Sequence, residues 1–186
     1  MSSGSALARI VASLDAAGIP HMVAGSFAST FHGEPRTTHD VDVVIDPSRD
    51  ALDRFVRSLD RGAFYVSAEA VAEAWRRRGL FNVIDLASGW KIDLILRKDR
   101  PFSRSEFARR APARILDVDV FVATAEDTVL AKLEWARLGE SERQIRDVIG
   151  VIELCGEHLD RRYVERWARE LGVEELWERA LALARS

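Results

Sequence analysis

Asp40-Val41-Asp42 sets two carboxylates two residues apart inside the apolar run DVDVVI. On a strand, residues i and i+2 project from one face about 6.6 Å apart, so both acids face the same point while Val41 faces the core. Like charges held in this way repel unless something positive lies between them. Magnesium is the ready candidate, being a hard ion that takes carboxylate and phosphate oxygens. A bare Asp-x-Asp is still better read as a solvated edge strand, and it is a third acid that changes the reading. In WKIDLIL (90–96), Trp90, Ile92 and Leu94 share one face and Lys91, Asp93 and Ile95 the other. Asp93 stands in mid-strand between Ile92 and Leu94, where burial without a partner is expensive.

The residues upstream supply a second kind of chemistry. His21–Ala24 is a short apolar strand that runs into Gly25-Ser26 and a helix-like stretch to His32. Glycine lets the backbone approach an anion, and the free N–H groups of a first helical turn point at it. Alone, Ser26 is better explained as a helix N-cap with no ligand. Joined to three strand-borne carboxylates, the set reads as a two-metal site for phosphoryl transfer. One ion would activate the acceptor oxygen and the other would neutralise a triphosphate.

The elements that must position these residues are mixed α and β up to about residue 123 and helical afterwards. Leu7, Ile10, Val11 and Leu14 recur at helical spacing over 5–17, and Gly18 closes that helix. Asp40–Ile45 is a strand, and Pro47 and Ser48 mark the turn into a helix over 49–60. Another helix covers 68–78. FNVIDL (81–86), the turn Ala87-Ser88-Gly89 and WKIDLIL form a hairpin, and 112–122 adds one or two strands. Thr124 opens a helix in a capping-box arrangement with Asp127, and further helices follow near 141–155, 160–170 and 173–185. The expected class is α/β (α+β), a mixed sheet flanked by helices and followed by a helical bundle, with domains 1–123 and 124–186.

Bulk properties narrow the setting. The chain has 186 residues, 47% hydrophobic and 31% charged, with a net charge of −3, so no global positive field draws it to nucleic acid. A single cysteine, Cys155, leaves no intrachain disulfide. No apolar run approaches the ~20 residues that span a bilayer, and the N-terminus is too short and too weakly charged for a secretory signal, so a cytoplasmic location away from membranes is expected.

Gly25-Ser26, Asp40-x-Asp42 and Asp93 on a neighbouring strand together resemble the signature of the DNA polymerase β-type nucleotidyltransferase superfamily. The resemblance is closer to its small prokaryotic members, the MNT-like and AbiEii-like proteins. These approach the carboxylate pair through Arg-x-Ser/Thr-x-Asp-x-Asp, matched here by Arg36, Thr38, Asp40 and Asp42. The hairpin before Asp93 and the helical stretch AKLEWARLGESERQIRDVIGVI are similar to that branch as well, so that the resemblance spans roughly residues 20–155. It implies a nucleotidyltransferase-type sheet and transfer of an NMP from an NTP, with Mg2+ (or Mn2+) held by the catalytic residues Asp40, Asp42 and Asp93. Nucleotide binding is implied for Gly25, Ser26, Arg36, Thr38 and Lys132. The acceptor would be an RNA or protein hydroxyl, in a toxin–antitoxin or phage-defence setting with a cognate toxin or antitoxin partner. Many superfamily members have an acidic-polar approach with a glycine in the preceding helix. Here thirteen residues separate Ser26 from Asp40, which points away from aminoglycoside-modifying members.

Other residues admit two readings. Lys132 could reach a triphosphate oxygen or lie on a solvated face near Glu134. Asp147 could orient that lysine or act as a general base, although an Arg146-Asp147 pair on a helix is usually a surface feature. The tract RKDRPFSRSEFARRAPAR (97–114) follows the Asp93 strand, so a role as a landing strip for triphosphate or RNA is favoured over a solvated helix. His21, His32 and His158 show no metal-ligand spacing, and Cys155 reads as a core thiol. Haloacid-dehalogenase-like phosphatases and sugar-nucleotide glycosyltransferases place Asp-x-Asp at the end of an apolar strand. Here the polar run Arg36–His39 comes first, which disfavours both. A catalytically inactive nucleotidyltransferase-fold module, binding a partner or acting as an antitoxin, is the alternative.

Overall fold

The computed structural model describes residues 3–33, 40–139 and 141–184. Arg36, Thr38 and His39, singled out by the sequence, lie outside them. The chain divides into two units, one holding all the strands and the other made of helices.

The first unit is a seven-stranded mixed sheet. Its strands are β1 (His21–Val23), β2 (Asp40–Ile45), β3 (Phe64–Tyr65), β4 (Leu80–Asp85), β5 (Lys91–Leu96), β6 (Ala111–Ile115) and β7 (Val118–Val122), in the order β3-β4-β5-β2-β1-β7-β6. β2 and β5 lie side by side and parallel at its centre. Their sequences explain that place. Val41, Val43 and Ile45 are fully buried, as are Ile92, Leu94 and Leu96, while Asp40, Asp42 and Val44 alternate with them half-exposed. A one-residue slip would turn the carboxylates into the core, so the apolar pattern fixes which face carries the acids.

The β4–β5 connection is tied at its turn. The buried Asp85 carboxylate accepts from the Ser88 backbone N–H at 3.1 Å and from the Ser88 hydroxyl, and the Arg9 guanidinium lies 3.5 Å from its other oxygen. Gly89 takes the left-handed φ of 72° that closes the turn. The resulting register sets Asn82 opposite Asp93. The two-residue β3 on the far side of β4 is too short for any periodicity to announce. Helices α1 (Ser3–Ala16), α3 (Arg49–Ser58), α4 (Ala68–Arg77) and α5 (Pro101–Arg109) complete this unit, with α4 packed on β4 and β5 and α1 on β7 and α3.

The second unit contains α2 (Gly25–His32), α6 (Ala125–Gly139), α7 (Glu142–Cys155), α8 (Arg161–Leu171) and α9 (Glu174–Leu183). α6 is its central helix, burying Asp127, Thr128, Val129, Leu130, Lys132, Leu133 and Ala136. Half of the expected capping box is present: Asp127 N–H donates to the Thr124 hydroxyl at 3.2 Å. The Asp127 carboxylate accepts from that hydroxyl at 2.8 Å, whereas in a full box it accepts from the backbone N–H of the cap residue. Tyr163 of α8 donates to the other Asp127 oxygen at 2.6 Å, which makes the cap an anchor between helices. At the end of α2, a Cβ on Gly33 would come within 2.9 Å of Ser29 O and 3.0 Å of Val151 N, so only glycine permits this approach to α7. Among the described residues no helix is long and apolar enough to cross a membrane.

Candidate functional site

Asp40, Asp42 and Asp93 share one face of the sheet unit. The β2–β5 register pairs Asp42 with Asp93 and Asp40 with Lys91, and β4 contributes Asn82 beside Asp93. Asn82, Asp93 and Asp42 therefore form one row across three strands, with Lys91 and Asp40 in the next row. Asp93 is the most enclosed of the acids, its side chain 11% exposed against 46% for Asp40. Both of its oxygens are engaged: the Asn82 amide donates to Oδ1 at 2.5 Å, and the Lys91 ammonium lies 3.1 Å from Oδ2. The same ammonium is 3.8 Å from Asp40 Oδ2. The hydrogen bond to Asp93 is the main reason that Lys91 is held above the ordinary lysine pKa; partial desolvation opposes it, and the charges of Asp93, Asp40 and Asp42 add to it.

Lys91 and Asn82 are the residues that the sequence reading did not assign. The signal for Lys91 was its place two residues before Asp93, on the same strand face. Asn82 could be found only by counting register through the Ala87-Ser88-Gly89 turn.

This arrangement suits a cation. Three carboxylates face one side of two adjacent strands, and an ammonium already sits among them. Among the described residues, no three His, Cys, Asp or Glu side chains are gathered closely enough to form a ready metal-holding group. The donor chemistry, all carboxylate oxygen, matches Mg2+ or Mn2+ and not a soft metal.

Gly25, Ser26 and Lys132 belong to the helical unit. Gly25 opens α2 with a φ of 58°, so a side chain there would be strained whether or not an anion approaches. Ser26 follows it in the first turn. Lys132 is not solvated: it is buried on α6, and its ammonium is 2.6 Å from Asp147 Oδ2 on α7. Asp147 is correspondingly not a surface residue, its side chain being 12% exposed. Of the readings open for Asp147, the structure supports the one in which it orients Lys132 from the next helix. His32 Nε2 lies 2.7 Å from Ala123 O, and burial holds its pKa below the ordinary value. Cys155 is a half-buried thiol that donates to His32 O at 3.6 Å, and burial pushes its pKa up.

The basic tract differs from expectation. It leaves β5 at the end away from Asp40, and Arg97 lies four residues beyond Asp93, roughly 13 Å along the strand by the usual rise. Arg97 pairs with Asp46 at 2.9 Å, Arg104 with Asp99 at 2.6 Å, and Arg114 lies 3.7 Å from both Asp117 and Asp119. Arg110 stands over the rings of Phe107 and Phe121. These four cations have acidic or aromatic neighbours, and those of Arg104 and Arg114 are at exposed positions.

Known structures share this architecture. An antigenic nucleotidyltransferase-like protein from Paracoccidioides brasiliensis superimposes with a TM-score of 0.59 at 16% identity, over 96% of this chain and 91% of that one. The chain shares the fold of these nucleotidyltransferase structures. ANT(2")-Ia in complex with adenylyl-2"-tobramycin matches with a TM-score of 0.57 at 14% identity, over 92% of this chain and 97% of that one. The lincosamide antibiotic adenylyltransferase LnuA, lincomycin-bound, matches with a TM-score of 0.52 at 10% identity, over 78% and 93%. At such identities the nucleotidyltransferase likeness is one of fold. No family model matches the sequence, and no curated protein does.

Proposed function

We propose that the protein is a metal-dependent nucleotidyltransferase that moves an NMP from an NTP to a hydroxyl of an RNA or protein acceptor. The observation that carries this reading is the set of three carboxylates on the parallel strands β2 and β5 of a nucleotidyltransferase-type sheet, with a cation among them. Asp40, Asp42 and Asp93 would hold Mg2+ or Mn2+, which when bound lowers the pKa of the acceptor hydroxyl and screens the triphosphate. Asn82 fixes the Asp93 carboxylate on the sheet face by donating to Oδ1. Gly25 and Ser26 would cradle donor phosphates through backbone N–H groups and the serine hydroxyl, with Arg36, Thr38 and Lys132 as further contacts. The acceptor hydroxyl gives up its proton to solvent as its oxygen bonds to the α-phosphorus, the bond to the oxygen bridging to the β-phosphate breaks, and pyrophosphate leaves.

The length of the Ser26-to-Asp40 segment supports an acceptor other than an aminoglycoside, and the resemblance to AbiEii-like proteins supports a defence or toxin–antitoxin setting with a cognate partner. One observation favours a second reading, an inactive nucleotidyltransferase-fold binding or antitoxin module: Lys91 partly neutralises the acids without any metal. Incubation with each α-labelled NTP, Mg2+ or Mn2+, and cellular RNA or lysate protein separates the two. Label in RNA or protein identifies donor and acceptor class together. No transfer to either fraction with any NTP and metal would favour the inactive module.

A further inference from the structure

Lys91 stands where the proposed metal chemistry needs a cation. Its ammonium spans β5 and β2, 3.1 Å from Asp93 Oδ2 and 3.8 Å from Asp40 Oδ2, with Asp42 in the adjacent row. Asp93 has little room to serve two cations, since the Asn82 amide holds its other oxygen. An ion bound through Asp93 Oδ2 would meet the ammonium within a few ångströms, and charges so close near a protein surface repel substantially. The lysine, unlike Asp93, is not enclosed. Its side chain is 41% exposed and carries the charge on a flexible four-carbon stem, so it can swing out without disturbing β5. Without any cation, three carboxylates on adjacent strands would repel one another.

We infer that Lys91 is an internal counter-ion of the carboxylate cluster that a divalent metal must displace from Asp93 and Asp40. This rests on the metal reading of the site given above. It makes Lys91 a positioning residue: it keeps the acids gathered in the metal-free protein and sets how tightly a metal binds. Affinity would then be lower than three carboxylates alone would give, and filling the site would wait on a metal ion that accompanies the donor triphosphate.

The experiment is a Mn2+ titration followed by electron paramagnetic resonance, which counts free ion and needs no turnover. Full-length wild type, Lys91→Met, Lys91→Arg and Asp93→Asn are compared, each first shown to be folded by circular dichroism. Lys91→Met should bind Mn2+ at least about tenfold more tightly than wild type, because a like charge has left the site. Lys91→Arg, which keeps the charge, should remain near wild type, and Asp93→Asn should lose most binding. In wild type, the Lys91 side-chain NMR signals should shift as Mg2+ is added, which tests displacement without any substitution. Unchanged or weaker Mn2+ binding by Lys91→Met, with Asp93→Asn still defective, would overturn the counter-ion role and leave the metal site standing. If wild type and Lys91→Met both fail to bind Mn2+, the metal reading falls and this inference with it.

Discussion

Lys91 and Lys132 each reach an aspartate across a gap between secondary-structure elements, and their surroundings could hardly differ more. Lys132 and Asp147 join α6 to α7 at 2.6 Å, with side chains 6% and 12% exposed. Lys91 joins β5 to β2 with its side chain 41% exposed, and it is shared between Asp93 and Asp40 with Asp42 in the next row. The first is an enclosed contact between a cation and an anion. The second sets a cation between Asp93 and Asp40 on a more open face. An enclosed, balanced pair has little charge left to offer a ligand, and losing either partner strands a buried charge. A group of carboxylates on an open face is one that a divalent metal can reach and neutralise. The sheet unit therefore carries the stronger case for ligand chemistry, and Lys132 could touch a phosphate only by sharing its ammonium with Asp147.

The largest expected effect lies on the open side. Asp40→Asn, Asp42→Asn or Asp93→Asn should each reduce nucleotidyl transfer by more than the 10–100-fold typical for loss of an outer-shell partner, since each removes a proposed ligand outright. Urea unfolding should show little lost stability for Asp40→Asn, and a gain in metal-free protein would fit the removal of like-charge repulsion. Near-normal transfer by Asp93→Asn would collapse the contrast, because the sheet face would then be no more functional than the helical pair. The closed side should behave in the opposite way. Lys132→Met should lower unfolding stability by roughly 3 kcal/mol, as expected when one member of a buried pair is removed. The double variant Lys132→Met/Asp147→Leu should recover most of that loss. A Lys132→Met protein of full stability with a raised KM for NTP would move Lys132 to the ligand side of the comparison.

How much of this was readable beforehand follows the same divide. The alternation in DVDVVI and the mid-strand acid in WKIDLIL located β2 and β5 and the face they share, because period-2 burial is local to each strand. The cap at Thr124 was equally local. Three features were not settled by sequence alone. The Lys132–Asp147 pair was one of the readings left open, because it depends on how α6 and α7 pack, 15 residues apart in sequence. The Lys91 bridge needs the parallel register of β2 against β5, separated by two helices and two strands. The arginines of 97–114 stood out by number, but the Arg97–Asp46 pair is a tertiary outcome that composition does not reveal, whereas the partners of Arg104 and Arg114 lie within five residues of them.

A smaller effect asks whether the helical unit carries any ligand chemistry. Gly25 is a poor probe, since its φ of 58° makes any replacement strained before a nucleotide is considered. Ser26→Ala leaves the backbone unchanged. If the hydroxyl donates to a phosphate oxygen, KM for NTP should rise about fivefold to tenfold, the size expected of one hydrogen bond worth about 1 kcal/mol net. An unchanged KM would return Ser26 to the structure of α2 alone.

The smallest effect tests whether enclosure in the helical unit acts on a titratable group as it acts on the Lys132 pair. His32 closes α2 with its ring nitrogen against Ala123 O, near the Cys155 thiol and within the field of Glu126. Burial lowers its pKa from 6.5; the bond to Ala123 and the charge of Glu126 oppose this without cancelling it. The folded protein thus holds the proton less well than the unfolded chain, and stability rises with pH wherever the unfolded state binds more protons. The contribution of His32 is fully present above pH 6.5. It is lost as pH falls from there through the lower folded value, and below that it changes no further. His32→Gln keeps an N–H donor for Ala123 O and cannot titrate. Wild type should therefore lose more stability than His32→Gln between pH 7.5 and 5.5 in urea unfolding, while above pH 7.5 the difference between the two should be constant. Parallel curves across the whole range would mean that His32 is not desolvated enough to matter, and that enclosure in this unit is confined to the α6–α7 core.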